Sequence, residues 1–469
     1  MFSRSFFLLI FSLFHLILFS LALSEYQGNK TYYIIFSLIA YIYLIYLTDD
    51  KSYFYENFIS VFLFSGLWFN FSIKIYFFNS LFPEGVGFFD YKPTSFDEVM
   101  TICSISLFSI IISSFLRRKI FIKFPSQINK KEFVFNSKKI FPLFVFFFVF
   151  VIITSYLNYK FSIYQRSFTT KIELNFLILN FFKWFFIIGC STISAYFINL
   201  YIDQTKKLPK KLIIIHVFIE FIINLSMLSR GMIFNSLSIA WGIFRKKKYK
   251  DNYLFNSIHI VSIIFLFFLG IKLIGDLRIE GNKKTVEYCE NIEVSKPIAR
   301  SSFDNNPAIQ NKYLKILASR LIGIEGVMAV QSLDNKSFAL ILESLKEKTS
   351  LDKGISFFDS LKSDQRCNNR FSKSITLPGI IAFLYYSGSM VFVSISLIVI
   401  TITMCLIEKI MRILLGEQLL FISLVGQILA YRMWHFGFAP LNSIKLFFAI
   451  FITTILVYFL NKLFMKNIK

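Results

Sequence analysis

Apolar runs of about 18 or more residues recur along this chain, each long enough to cross a bilayer as a helix. Such a chain has few folds open to it. Hydrocarbon offers no water to backbone N–H and C=O groups, so a spanning segment must satisfy its own, and the helix does so. The expected fold is all-α: a polytopic membrane protein. Composition agrees, with 55% of 469 residues hydrophobic and 62 of them Phe. The first run, at 6–23, is followed at once by another and lacks a clear small-x-small cleavage site. It reads as a retained helix rather than a signal peptide.

Twelve spans are expected, near 5–23, 32–48, 57–78, 97–116, 140–157, 174–199, 211–228, 231–245, 256–274, 378–407, 413–433 and 443–461. The chain then divides into nine helices over 1–274, one large loop over 275–377, and three helices over 378–469. Basic residues orient the spans. Arg117, Arg118, Lys119 and Lys123 follow span 4, Lys206, Lys207, Lys210 and Lys211 follow span 6, and Arg245 to Lys250 follow span 8. With twelve spans these share one side, which the positive-inside rule makes the cytoplasm, with both termini inside. The net charge of +23 therefore speaks of topology and anionic lipid, not of nucleic acid. Asp49, Asp50 and Lys51, between spans 2 and 3, give the weakest vote.

The loop at 275–377 holds 16 Lys/Arg and 13 Asp/Glu, so it cannot live in lipid. Long loops carry function disproportionately, and this one is expected to form an outer lid over an active site. Apolar residues at Leu314, Leu317, Leu321, Ile324 and Met328 predict a helix within 312–330. A second is predicted over 337–345, with Asp334 or Asn335 as its cap. Such helices can pack on the rest of the protein or on each other. Cys289 and Cys367 lie near the two ends of the loop, and in an oxidising compartment a disulfide between them can close it. Cys103, Cys190 and Cys405 fall in apolar runs and read as packing residues, and no zinc-type spacing is present.

Eight of the thirteen arginines fall on the outer side: Arg166, Arg230, Arg278, Arg300, Arg320, Arg366, Arg370 and Arg432. The guanidinium is a planar fork of donors that matches phosphate oxygens and stays charged. Arg166, Arg230, Arg278, Arg320 and Arg432 are thus candidates for holding a diphosphate at headgroup level. The turn Ser229-Arg230-Gly231 also opens span 8, where free N–H groups favour an anion. The plainer reading of each arginine is a bond to a loop carbonyl or a lipid phosphate; the set is what favours a site. In Tyr431-Arg432-Met433-Trp434-His435-Phe436-Gly437, Arg432 and His435 share a helix face if span 11 runs that far. His435 is the one histidine of four placed outside, and an imidazole can take a proton from an attacking hydroxyl. It is equally at home in an interfacial aromatic belt. Glu325 is a second candidate base and Asp276 a weaker third. His216 and Glu220, four apart on span 7, read as a local pair, while Lys74 and Lys183 read as snorkelling lysines. No phosphate-binding glycine loop or metal-ligand cluster stands out.

These residues resemble an O-antigen polymerase, the family that joins lipid-linked oligosaccharide repeat units. Locally the resemblance rests on Tyr164-Gln165-Arg166, Ser229-Arg230-Gly231, Arg320-Leu321-Ile322-Gly323-Ile324-Glu325-Gly326 and Arg432-Met433-Trp434-His435-Phe436-Gly437; globally it rests on about twelve spans and a late outer loop. The family commonly has two sizeable arginine-rich outer loops, where this chain has one large and several small. The resemblance implies a GT-C-like glycosyltransferase of the Gram-negative inner membrane, its active site facing the periplasm. It implies undecaprenyl diphosphate-linked oligosaccharide as substrate, no metal or other cofactor, and a possible chain-length regulator as partner. An O-antigen ligase, acting on a lipid A core acceptor, and a lipid-linked oligosaccharide flippase are the alternatives. Sparse intramembrane charge and the lack of two similar halves count against the flippase.

Overall fold

The computed structural model describes residues 4–80, 82, 86–120, 131–133, 137–165, 172, 174–229, 231, 233–245, 261–262, 265–266, 268–270, 272–274, 277, 321–347, 356–361, 377–416 and 418–467. Its helices, in chain order, are α1 (Arg4–Glu25), α2 (Lys30–Leu47), α3 (Phe54–Phe77), α4 (Pro93–Ile120), α5 (Ser137–Phe161), α6 (Phe176–Thr205), α7 (Lys210–Ser226) and α8 (Ile233–Arg245). After these come α9 (Ile324–Gln331), α10 (Phe338–Leu345), α11 (Phe357–Leu361), α12 (Ile380–Tyr385), α13 (Met390–Leu415), α14 (Leu419–Trp434) and α15 (Asn442–Phe464). Among the described residues, α2 to α6, α13 and α15 supply seven helices long and apolar enough to cross a membrane. Large apolar side chains such as Phe146, Phe176, Ile395 and Phe448 are exposed on them, as a lipid-facing surface requires. The protein is a helical membrane protein.

The expected spans at 211–228, 231–245 and 413–433 appear as α7, α8 and α14, shorter than the seven. The run expected as one span over 378–407 is instead divided. It forms the short buried helix α12, a turn at Ser387–Gly388, and then α13. Gly388 takes φ +70, which a residue with a Cβ rarely adopts, and this is where the run breaks.

The chain forms two compact units. The first comprises Met1–Ile122, Cys289–Leu406 and Leu429–Ser443. Here α1 and α2 pack on α3, and α2 packs along α4. Aromatic side chains fill the contacts. His15 stacks on Trp68 at 4.0 Å, Trp68 donates to Ser37 Oγ at 2.9 Å, and Tyr33 is hydrogen-bonded to Ser72 at 2.8 Å. At one corner Glu56 accepts from the Tyr53 backbone N–H at 2.7 Å and from Arg117 Nε at 3.0 Å. Arg118 donates to the Tyr46 carbonyl at 2.8 Å and to Ser52 at 2.9 Å. The 49–51 turn is tied to the end of α4 as well: Arg118 pairs with Asp49 at 3.5 Å, and Arg117 donates to the Lys51 carbonyl at 3.2 Å.

The second unit comprises Lys123–Tyr288, Ile407–Ile428 and Ile444–Lys469. In it α5 packs on α6 and α7, and β1 (Lys131–Phe133) pairs antiparallel with β2 (Met465–Asn467), Glu132 opposite Lys466. Polar groups buried in the bundle find one another, as they must. Asn158 bridges to Ser226 Oγ at 2.7 Å, Trp184 donates to Thr453 Oγ1 at 2.9 Å, and Gln418 joins Asn199 and Asn461. Glu220 accepts from Ser191 at 2.6 Å, while His216 stands 3.9 Å away, so the expected His216–Glu220 pair is the looser contact.

Candidate functional site

The site is built on one face of α3. Phe62, Gly66, Asn70 and Lys74 are spaced by four residues. In a regular α-helix each four-residue step drifts by about 40°. A π-helical turn at Ser65–Phe69 lies in the middle of the series, and its wider turn takes up part of that drift. All four residues therefore meet later parts of the chain on a common face.

What Gly66, Asn70 and Lys74 meet is 321–331, the apolar stretch within the otherwise charged loop. Ile324 to Val330 are buried throughout. Gly323 adopts φ +150, and a Cβ there would approach the Gly66 carbonyl at 2.9 Å. A Cβ on Gly66 would in turn run into the Ile322 carbonyl. Two glycine backbones thus face each other with no room for a side chain on either. Below this contact Asn70 Nδ2 donates to the Leu321 carbonyl at 2.7 Å and to Glu325 Oε2 at 3.0 Å. Lys74 Nζ pairs with Glu325 Oε1, both side chains buried. The Lys74 ammonium also stands 5.8 Å from the Phe82 ring centroid.

Two further passes of chain lock onto this segment. Trp434, the last residue of α14, donates its indole N–H to the Ile322 carbonyl at 2.6 Å and stacks on Phe62 at 4.9 Å. Gly379, at φ +81, donates its N–H to the Phe436 carbonyl at 3.1 Å. A Cβ at Gly326 would strike the Pro378 carbonyl, and one at Gly437 the Pro378 ring. Residues 321–326, 378–379 and 434–437 are therefore closely interlocked.

A second polar group flanks them. Glu98 of α4 accepts from Tyr385 at 2.9 Å and from Gln331 at 2.9 Å. Burial, then the Glu98 bond and charge, push the Tyr385 hydroxyl well above its ordinary pKa, so it stays a donor. Lys336 donates to the Gln331 and Leu333 carbonyls, both at 2.6 Å. Glu347 accepts from the Ala439 N–H at 2.7 Å and from the Phe357 N–H at 2.8 Å, tying the end of α10 to the segment after α14.

Of the candidate catalytic and diphosphate-binding residues, Glu325, Arg432 and His435 lie in the described parts, all in the first unit. The last two belong to one continuous turn, since the His435 N–H bonds the Tyr431 carbonyl at 2.9 Å. Their side chains take different partners. Arg432 Nε donates to Ser443 Oγ at 2.9 Å, and its guanidinium lies near Phe436. The His435 ring stacks on Tyr431 at 4.0 Å and meets Trp434 edge-on at 4.4 Å. Glu325 is held by Lys74 and Asn70. Arg166, Arg230, Arg278, Arg300, Arg320, Arg366, Arg370, Asp276, Cys289 and Cys367 lie outside the described residues.

The apolar side chains of 321–331 are buried against α3, α4 and α12, so this part of the loop packs on the rest of the protein. Two expectations need correction. Lys74 does not snorkel outward: it is fully buried and paired. The helix over 337–345 forms, but Ser337 rather than Asp334 or Asn335 is its N-cap residue. Lys74 and Asn70 are the members of the site that sequence reasoning missed. Their signal was an amide and an ammonium four residues apart, one turn beyond a glycine, in an apolar helix.

Fold and site together define a multi-helix membrane protein with a polar centre built where a loop segment docks on a membrane helix. Compared with protein-family models, curated proteins and solved structures, the chain matches none.

Proposed function

We propose that this protein is a membrane glycosyltransferase that polymerises surface polysaccharide. It moves a growing glycan from undecaprenyl diphosphate onto a hydroxyl of a fresh lipid-linked repeat unit. In this reading the chain makes twelve crossings of a Gram-negative inner membrane, both termini are cytoplasmic, and the site faces the periplasm. The acceptor oxygen attacks the anomeric carbon, the bond from that carbon to the diphosphate oxygen breaks, and the carrier diphosphate leaves with the bonding pair. His435 takes the hydroxyl proton as the attack proceeds. Arg432, with Arg166, Arg230, Arg278 and Arg320, offsets the charge that gathers on the departing diphosphate.

The observation that carries the reading is the interlock described above. It brings a candidate arginine and a candidate histidine from one turn, and a candidate glutamate from about a hundred residues before them, onto elements that fix one another. Catalytic groups need such support, because misplacement by an ångström costs rate steeply.

The test is reaction of the purified protein with its lipid-linked repeat unit. Long glycans released with free carrier diphosphate are expected, and Arg432→Ala should slow their formation at least tenfold with the protein intact. In cells, loss of the protein should leave lipopolysaccharide carrying a single repeat. Loss of every repeat would point instead to a ligase or a flippase and would overturn the proposal.

A further inference from the structure

We propose that Lys74 is a positioning residue of this site: by holding Glu325 it seats the 321–326 segment, and through the Ile322–Trp434 bond it sets the ring of His435. The inference rests on the functional reading only for what His435 does, not for the geometry.

The chain of contacts is short and has no loose member. Lys74 and Asn70 grip opposite oxygens of the Glu325 carboxylate. Asn70 also holds Leu321, so the segment is fixed at two points four residues apart. Between those points Ile322 turns its carbonyl to the Trp434 indole. Trp434 is only 4% exposed, clamped between Phe62 and that carbonyl, and its ring edge sets one wall for His435 while Tyr431 sets the other. Both Glu325 oxygens are occupied by donors from α3. That occupancy suits an anchor better than a base that must meet an incoming hydroxyl.

Removing the ammonium alone leaves a carboxylate buried beside neutral groups, a costly state relieved by protonation or by moving the group to water, and either change loosens its hold on α3. Where the charge is kept, the segment that carries Glu325 leaves α3. Trp434 then loses its carbonyl partner and its cover, and His435 loses one wall. Lys74 touches no reacting atom in this scheme, so its loss should change turnover and leave substrate affinity nearly alone.

The test uses the full-length protein in detergent and in liposomes, with Lys74→Met, Lys74→Arg, Asn70→Leu and the double variant Lys74→Met/Glu325→Gln. Trp434 reports docking without any reference to activity. Lys74→Met should shift tryptophan emission to the red, and the shift should vanish in a Trp434→Phe background. Polymerisation kcat should fall at least tenfold while KM for the lipid-linked unit stays within about twofold. Lys74→Arg, which keeps the charge, should recover most of both readouts. The double variant, with no orphan charge, should return the emission to its wild-type position. If Lys74→Met does not fold, Asn70→Leu should give a smaller shift of the same sign. Unmoved emission in both Lys74→Met and Asn70→Leu overturns the inference. So does lost turnover with unmoved emission in Lys74→Met, since it would place Lys74 on the substrate itself. A wild-type protein without polymerase activity would end the functional reading, yet the emission series would still decide the positioning role.

Discussion

Replacing Gly66 by alanine probes the interlock without touching a charge. The added methyl would fall on the Ile322 carbonyl and come within 2.9 Å of the Trp434 indole nitrogen. Neither is the free end of a flexible chain: one is backbone, the other a ring held by Phe62. Overpacking of this kind costs about 1–3 kcal/mol. Parting the indole from the carbonyl strands two buried polar groups, at about 1–3 kcal/mol more. Against this, alanine favours a helix over glycine by about 1 kcal/mol. The sum is a loss of about 3 kcal/mol, which at about 2–4 °C per kcal/mol lowers Tm by about 6–12 °C. Gly270 supplies the control, since among the described residues a Cβ there meets Phe221 alone, at an ordinary 3.8 Å. Differential scanning fluorimetry of the detergent-solubilised variants measures both. Gly66→Ala with Tm at or above wild type, while Gly270→Ala is neutral, would refute the close contact of Gly66 with Ile322.

The Glu56–Arg117 pair should behave as a buried ion pair, its side chains being 0% and 5% exposed. Glu56→Gln should cost about 3–5 kcal/mol, and the double change Glu56→Leu/Arg117→Met should recover much of it; equal Tm values for the single and double variants would show that the charges are not coupled. Burial holds the Lys336 ammonium below its usual value of 10.5, with Glu98 and Asp334 pulling the other way. A lysine so depressed binds fewer protons folded than unfolded, so stability should rise with pH in the window just below 10.5. Lys336→Met should flatten that rise, and an unchanged slope would count against the assignment. On non-reducing gels a mobility shift should require both Cys289 and Cys367; its absence from oxidised wild-type protein removes the disulfide.

Much of the helical layout is legible in the chain because the bilayer imposes a simple rule on length and polarity. The spans at 32–48, 57–78, 97–116 and 140–157 fall on α2 to α5 within a few residues. What hydropathy cannot show is the partner. Ile380–Tyr385 is as apolar as any span, yet it is a short buried helix, because Gly379 and Gly388 turn the chain on either side. Averaged over 275–377 the loop is strongly polar, and the average conceals the apolar run 321–330 that docks. Lys74 looked like a lysine reaching for a headgroup, since its carboxylate lies about 250 residues further on and no local pattern announces it. The turn that joins Tyr431 to His435 is legible for a different reason: helix periodicity acts over a few neighbouring residues, a scale that sequence does display.

The same distance bears on how the molecule is made. Asn70 and its bond partner at Leu321 are separated by 251 residues. At about 5–20 residues per second, α3 must wait roughly 13–50 s after synthesis before its partner segment exists. Throughout that interval Lys74 is a cation in an apolar helix whose Glu325 carboxylate has not yet been made. The nascent helix must stay near the water boundary, or borrow a lipid phosphate, and settle to its final depth only once Glu325 has arrived.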